Sequence, residues 1–565
     1  MLVVGFLAIL CVIYVADRLV QWRRNANLAP LPPGPKGLPF VGNLRDLPEP
    51  GVLEAEHWAK LAEYVAERTL AKMRWLWIGP ISSITIMGNT LIFVNDAQMA
   101  IDMLDKRATY SSRAVFNFAG DIIGWSKTTA ALKYNNTLRA HRKNFARIMG
   151  TKALASQYHN LQEAEVAYFL QHVLDNPESL RDHIKRQAGS IILKVVYGYN
   201  AEQEKRDPLI DMIQQCTEDL SSSGVPGAFL VDIIPSLRYV PDWVPGTGWK
   251  KLARKWAYEL NLAIETPFAF VQRQLAEGRE NNSFVANLLK SSENTAEDAR
   301  EIKWGSSSLY SGGADTARHR FPPSSGIYKL ANSLKTVSTV ACFFLAMTMF
   351  PEVQAKAQAE IDLVVGTERL PTLDDRDSLP YVEGIMKETL RWHSVVPTAL
   401  PHTADEDTVY AGYRIPKDTM IMPNVWWFTH NPSIYPEPNE FRPERYLESP
   451  GHEPETDPRK FVFGFGRRIC AGKTFAENTL FLDFVQSLAV FNIRKKSVDG
   501  HIVEPQMKSL PGAISHLAPY ETCVEARSPH HEKMIRSLAH KYPWQESDGE
   551  TLKTIGTPKT DPVTI

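Results

Sequence analysis

The chain opens with sixteen uncharged, mostly apolar residues, MLVVGFLAILCVIYVA, and turns abruptly to DRLVQWRR. In the NANLAPLPPGPKGLPFVGN that follows, Pro30, Pro32, Pro33 and Pro35 forbid a helix and predict a stiff arm. From about Gly51 to Leu390 apolar residues recur mainly at helical spacing, as in QEAEVAYFLQHVL and PEVQAKAQAEIDLVV. From Val395 the period shortens. TVYAGYRIPKDTMIMPNV alternates in brief runs around Gly412 and Pro416, which predicts a small sheet. After Glu525 polar and charged residues dominate and predict a solvated tail, SPHHEK included. The pattern therefore predicts a mainly α architecture with a small β part. One large domain, 51–525, lies between an arm at 23–50 and a polar tail at 526–565.

The first sixteen residues would span about 24 Å as a helix, and Leu19, Val20 and Trp22 extend the run, with Trp22 at the interface. Arg18, Arg23 and Arg24 lie on its C-terminal side, so the positive-inside rule puts the rest of the chain in the cytosol. A cleaved signal peptide is the alternative, but a basic leading region and a small-residue cleavage site are missing. Residues 1–22 are thus expected to be a transmembrane signal-anchor.

Composition narrows the function classes. A net charge of -1 over 565 residues argues against a general nucleic-acid binder. The five cysteines, Cys11, Cys216, Cys342, Cys470 and Cys523, are odd in number and widely spaced, with no CxxC pair. That argues against a disulfide framework or a zinc site and fits a reducing compartment.

The sharpest chemical signal is FVFGFGRRICAG, in which Phe463, Gly466, Arg468, Cys470 and Gly472 match FxxGxRxCxG. A thiolate on haem iron needs a tight loop before a helix. Gly464 and Gly466 allow that loop, and its amides can point at the sulfur. Those hydrogen bonds and the iron keep Cys470 ionised. Arg468 can reach a haem propionate, and Gly472 lets the next helix approach the porphyrin. The plain alternative is a buried structural cysteine in a glycine turn. GFGRRI is not a dinucleotide fingerprint, because Ile469 stands at the third glycine position.

With this loop the chain resembles the cytochrome P-450 superfamily, the haem-thiolate monooxygenases, over about Pro32 to Val524. KETLR and FRPERYL stand in the family's order, and the resemblance implies a buried charge network of Glu388, Arg391 and Arg445. TLRAHRKNF resembles the family's WxxxR helix, with Leu138 in place of tryptophan and Arg142 kept as a propionate partner. In VPTALPHTA the propionate-facing position is His402, which reads equally as an exposed turn histidine. SGGADT matches the oxygen-face helix, where Gly312 and Gly313 make room and Asp315 and Thr316 relay protons. The implied activity inserts one atom of O2 into a substrate, with haem b held axially by the Cys470 thiolate. No flavin or nicotinamide motif is present, so electrons come from a separate NADPH-dependent cytochrome P-450 reductase, with cytochrome b5 as a further donor. FFLAMTMFPEVQAKAQAEID, NVWWFTHNPSIYPEP and SPHHEKMIRS resemble fungal microsomal members, especially the O-methylsterigmatocystin oxidoreductase group. This implies an endoplasmic-reticulum enzyme acting on an apolar, polyketide-like secondary metabolite. The competing expectations are a membrane-anchored haem protein without turnover and a haem-thiolate isomerase or dehydratase.

The first competitor has a sequence feature behind it. SGGADT and TVSTVACFFLAMTMF read as halves of one helix, cut by ARHRFPPSSGIYKLANSLK, Ala317 to Lys335. Pro322 and Pro323 would each cost a helix about 3 kcal/mol. Without these nineteen residues Thr336 follows Thr316 and restores the family's T-T pair. Nineteen codons make 57 nucleotides, and Ala317-Arg318, Ala331-Asn332 and Lys335 are compatible with an intron's donor, branch site and acceptor. The segment is therefore expected to be a retained intron, with a genuine loop as the rival. The stretch Ala59 to Ser83 also departs from the family, lacking its short turn before the first strand.

Overall fold

A computed structural model of the chain describes residues 28–49, 51–69, 79–114, 116–223, 229–291, 295–313 and 335–556. The expected anchor at 1–22, Asp315, Thr316 and residues 317–334 lie outside them. No single helix among the described residues is long and apolar enough to cross a membrane.

The fold is mainly helical. Its principal helices begin with α1 (Glu54–Thr69), α2 (Ala97–Leu104), α3 (Asn136–Met149), α4 (His159–Asp175) and α5 (Leu180–Tyr197). Next come α6 (Pro208–Ser223), α7 (Gly248–Ala276), α8 (Phe284–Ser291), α9 (Ala296–Gly313) and α10 (Lys335–Met349). The series ends with α11 (Pro351–Val364), α12 (Pro380–Trp392), α13 (Lys473–Val490), α14 (Pro529–Lys541) and α15 (Gly549–Ile555). From Val340 to Met347 every side chain of α10 is buried. A helix apolar on all sides belongs in the middle of a fold. It packs on α13, where Phe343 stacks on Phe484 with centroids 4.1 Å apart.

α9 and α10 meet α5 in series. Tyr310 of α9 stands edge-on to Tyr197 at the C-terminal end of α5. α10 shares a buried cluster with Leu180, Ile184 and Ala188 of the N-terminal half of α5, whereas α9 shares one with Ile192, Val196 and Tyr197 of its C-terminal half. Both helices thus lie along one rod, in chain order opposite to it.

The main sheet has the order β1-β2-β7-β4-β3. Its strands are β1 (Ile81–Ile86), β2 (Asn89–Val94), β3 (Ser112–Arg113), β4 (His402–Thr403) and β7 (Met420–Pro423). β5 (Thr408–Tyr410) and β6 (Tyr413–Ile415) form the hairpin expected around Gly412. β1 and β2 fall in the stretch expected to be mainly helical. Serine and threonine at Ser82, Ser83 and Thr85 blunt the alternation of ISSITI, but Met87 and Gly88, at φ 48° and 89°, make a two-residue turn that joins the strands.

The tail also departs from expectation. After Glu525 the chain folds back as α14, with Ile535 and Leu538 buried against the body, rather than remaining a solvated tail. Met534, Ile535 and Leu538 form a narrow apolar stripe, enough to dock one face of an otherwise charged helix. Trp544 then stacks on Tyr168 of α4, and Asp548 accepts from the Asn200 amide beyond α5.

Candidate active site

The cysteine loop is a turn between two packed elements. Gly464 and Gly466 have φ of 78° and 48°, which glycine reaches at least cost. A Cβ at Gly466 would stand 2.5 Å from the Leu104 carbonyl oxygen, so this glycine also lets the loop close onto α2. The Cys470 amide donates to the Phe463 carbonyl at 2.8 Å, and α13 starts three residues later, after Gly472. A Cβ at Gly472 would meet only Met149 Sδ, at 3.8 Å. Phe463 lines a cleft with Thr339 of α10, Val395 and Val396 after α12, and Ala476 and Leu480 of α13. The cysteine loop and α10 therefore face one space. Gly312, near the end of α9, has nothing among the described residues within 4 Å of where a Cβ would be.

Around the loop gathers a set of basic residues. Arg142 donates to the Ile469 carbonyl at 2.9 Å, and the charge of its guanidinium reaches Cys470. Arg468 is buried and spends donors on the carbonyls of Ser111, Thr129 and Leu132. His402 is buried, not an exposed turn residue, and its Nδ1 lies 2.7 Å from the Tyr110 carbonyl oxygen. Sequence reasoning missed Arg113. β3 pairs it directly with His402, and it donates to the Leu400 carbonyl while its Nε has no partner. Its only sequence signal is a lone arginine in SSRAV, which nothing distinguishes from a surface residue.

None of Arg113, Arg142, His402 and Arg468 makes an ion pair among the described residues. Burial, and then Arg468, pushes the Arg113 pKa down to about 9. Burial, and then Arg142, lowers Arg468 to about 10. Burial, then Arg113 and Arg468, holds His402 well below the usual histidine range. His402 is therefore neutral, while Arg113 and Arg468 are buried cations that repel each other, which is costly unless an anion joins them; Asp405 eases this for Arg468 only in part. The two propionates of a porphyrin are such an anion, so the residues fit haem.

The charge network is equally well defined. Glu388 accepts from Arg391 Nε and Nη2, each at 2.8 Å, from Arg445 Nε at 2.9 Å and from Tyr446 Oη at 3.1 Å. The remaining guanidinium donors bond carbonyls of the 429–440 segment, and Arg445 also pairs with Glu455. Glu388, Arg391 and Arg445 are fully buried. Asp315 and Thr316, expected to relay protons, lie outside the described residues.

Residues 32–321 and 328–524 match the profile of the cytochrome P450 family. Cytochrome P450 monooxygenase 208 of Postia placenta is 42% identical over 93% of this chain and 96% of its own length. Cytochrome P450 monooxygenase claR of Ampulloclitocybe clavipes is 42% identical over 94% of this chain and 92% of its own. The O-methylsterigmatocystin oxidoreductase of Aspergillus flavus is 36% identical over 93% of both. A cysteine loop ringed by basic residues that make no ion pair among the described residues, a family profile over most of the length and relatives of this identity lead to one conclusion: the chain belongs to the cytochrome P450 family, monooxygenases that use haem b with a cysteine thiolate as axial ligand.

Proposed function

We propose that Cys470 supplies the axial thiolate and that the enzyme oxidises an apolar secondary metabolite with electrons from an NADPH-dependent cytochrome P-450 reductase. The observation that carries this reading is the pair of buried arginines, Arg113 and Arg468, beside the Cys470 loop, with half-buried Arg142 and buried His402 next to them. Arg113, Arg142, His402 and Arg468 hold the propionates in it. Bound haem activates dioxygen, and its thiolate ligand favours O–O cleavage. The protein's part is to orient the substrate, exclude water and deliver protons through Asp315 and Thr316. Similarity to the O-methylsterigmatocystin oxidoreductase supports a polycyclic, oxygen-bearing substrate class.

Arg139, Lys143 and Arg147 recur every fourth residue on the exposed face of α3, the helix that carries Arg142. This stripe supports docking of an acidic redox partner, the reductase or cytochrome b5. Attachment to the endoplasmic reticulum rests on the apolar N-terminus and on the exposed Leu230, Tyr239 and Trp243. The body at 51–525 is read as one domain.

The serial docking of α9 and α10 on α5 supports reading them as one helix, with Ala317 to Lys335 extraneous to it. Between Leu180 and Tyr197, the buried ends of α5, the helix advances seventeen residues, about 26 Å. Without the nineteen residues, Tyr310 and Ala341 are twelve apart, about 18 Å of helix. With them they are 31 apart, about 46 Å.

A carbon monoxide difference spectrum of the reduced protein tests the thiolate. NADPH consumption coupled to product then separates a monooxygenase from an isomerase or a haem protein without turnover. A spectrum without the thiolate-type band overturns the assignment of Cys470.

A further inference from the structure

Thr129 has three polar groups, and each is bonded to a different element. Its N–H donates to Ser308 Oγ of α9 at 2.8 Å. Its Oγ1 lies 2.9 Å from His141 Nδ1 of α3. Its carbonyl accepts from Arg468 Nη1 at 3.2 Å. One residue thus joins the helix expected on the oxygen face, the helix of Arg142 and the cysteine loop.

The partners are themselves fixed. Ser308 Oγ donates to the Trp304 carbonyl at 2.8 Å, which turns its lone pairs toward the Thr129 amide. His141 is 1% exposed, and its Nε2 stands 3.0 Å from Glu301 Oε2, also on α9. The two atoms are close but not aligned for a hydrogen bond, so the bond that holds the His141 ring is the one between Nδ1 and the Thr129 hydroxyl. Burial lowers the pKa of this imidazole to about 4, so it is neutral at pH 7. Gly305 of α9 lies against the His141 ring, where a Cβ would be in ordinary contact at 3.4 Å. The other two carbonyls that cap Arg468 sit in local turns, with the Ser111 amide on Ala108 and the Leu132 amide on Thr128. Of the three, Thr129 is the residue with a hydrogen bond to α9.

We propose that Thr129 is a positioning residue that couples the placement of α9 to the arginine anchoring the cofactor; the proposal rests on the haem-site reading above. A shift of α9 reaches the Thr129 amide through Ser308 and leaves through its carbonyl to Arg468. His141 holds the hydroxyl and so fixes the rotation of the residue about the other two bonds.

The test uses haem-loaded protein, the full chain or the chain without Ala317 to Lys335, whichever loads haem, with Thr129→Val, Thr129→Ser and Ser308→Ala. Two quantities are read: the rate of haem transfer to apomyoglobin and the haem reduction potential. Thr129→Val and Ser308→Ala are expected to speed transfer about five-fold, the equivalent of one hydrogen bond. Both are expected to lower the potential, as positive charge drifts from the propionates, while Thr129→Ser stays within about two-fold of the parent rate. If both disruptive variants melt earlier but keep the parent's potential and transfer rate, Thr129 is only a loop staple and the proposal is overturned. Should Thr129→Val not fold, Ser308→Ala decides by the same two readings. A parent protein without the thiolate-type carbon monoxide band instead fails the haem reading, before any variant is compared.

Discussion

Glu388 grips Arg391 through two parallel bonds of 2.8 Å and at the same time accepts from Arg445 at 2.9 Å, all three fully buried. Glu388 neutralises two cations only in part; Glu455 pairs with Arg445 as well, and the carbonyls around them do the rest. Removing the Glu388 carboxylate leaves Arg391 with carbonyls alone and Arg445 with Glu455 as its one carboxylate. Glu388→Gln is therefore expected to cost about 3–5 kcal/mol. Urea titration of the carbon monoxide band measures it, and a loss below about 1 kcal/mol would mean that water reaches the network.

Asp483 of α13 is fully buried, with Gln187 Nε2 donating to it at 2.6 Å. Burial raises its carboxyl to about 8, against an ordinary 3.8. The folded state then holds a proton that the unfolded chain has lost. Stability falls as pH rises from about 4 to about 8 and levels off above. Asp483→Asn removes this dependence, so its advantage over the parent should grow across that window by a few kcal/mol, about 1.4 per pH unit at most. Parallel difference curves at pH 5 and pH 8 would contradict it.

Arg113 is expected to have opposite effects in the two forms of the enzyme. Without haem its charge lies buried beside Arg468, so Arg113→Gln should stabilise the apoprotein. With haem the same change removes a charged donor to a propionate and should speed haem loss roughly ten-fold. Melting curves of both forms check the signs, and a change of the same sign in both would show that Arg113 does not meet the cofactor.

How these residues could be seen in advance differs from one to the next. Glu388, Arg391, Arg445 and the Cys470 loop carry rigid spacings, because backbone geometry and charge pairing fix them within a few residues. Arg113 and Thr129 act through the register of β3 with β4 and through a loop clasped by α3 and α9, partners distant in the chain. Nothing local in SSRAV or SKTTA announces them. β1 was obscured because its sequence alternates serine with isoleucine only in part, and pairing with β2 supplies what propensity lacks. α14 was obscured because a helix with three apolar positions among charges looks soluble until a groove receives it.

That groove makes α14 part of the core. Ile535 is fully buried in the cluster that includes α4 and α13. Ile535→Ala should destabilise the haem-loaded protein by about 2–4 kcal/mol, whereas Lys533→Ala, on the same helix, should be neutral within about 0.5. Thermal unfolding distinguishes them. Equal effects would mean that the segment after Glu525 is loosely attached.

Deleting Ala317 to Lys335 is the decisive test of the broken helix. Joined, Thr316 precedes Thr336, and the helix from Ala296 would run on to Met349 with Tyr310 and Ala341 about 18 Å apart, within the length α5 offers. The shortened chain is expected to load haem fully, give the thiolate-type carbon monoxide band and couple NADPH to product. The full chain should load haem poorly, because Thr339 and Phe463 face one cleft and that cleft depends on where α10 begins. Sequencing the transcript adds an independent arm: messages lacking these nineteen codons are expected to predominate. Equal spectra and turnover from both chains, with the matching peptide in the mature protein, would establish the segment as a genuine insertion.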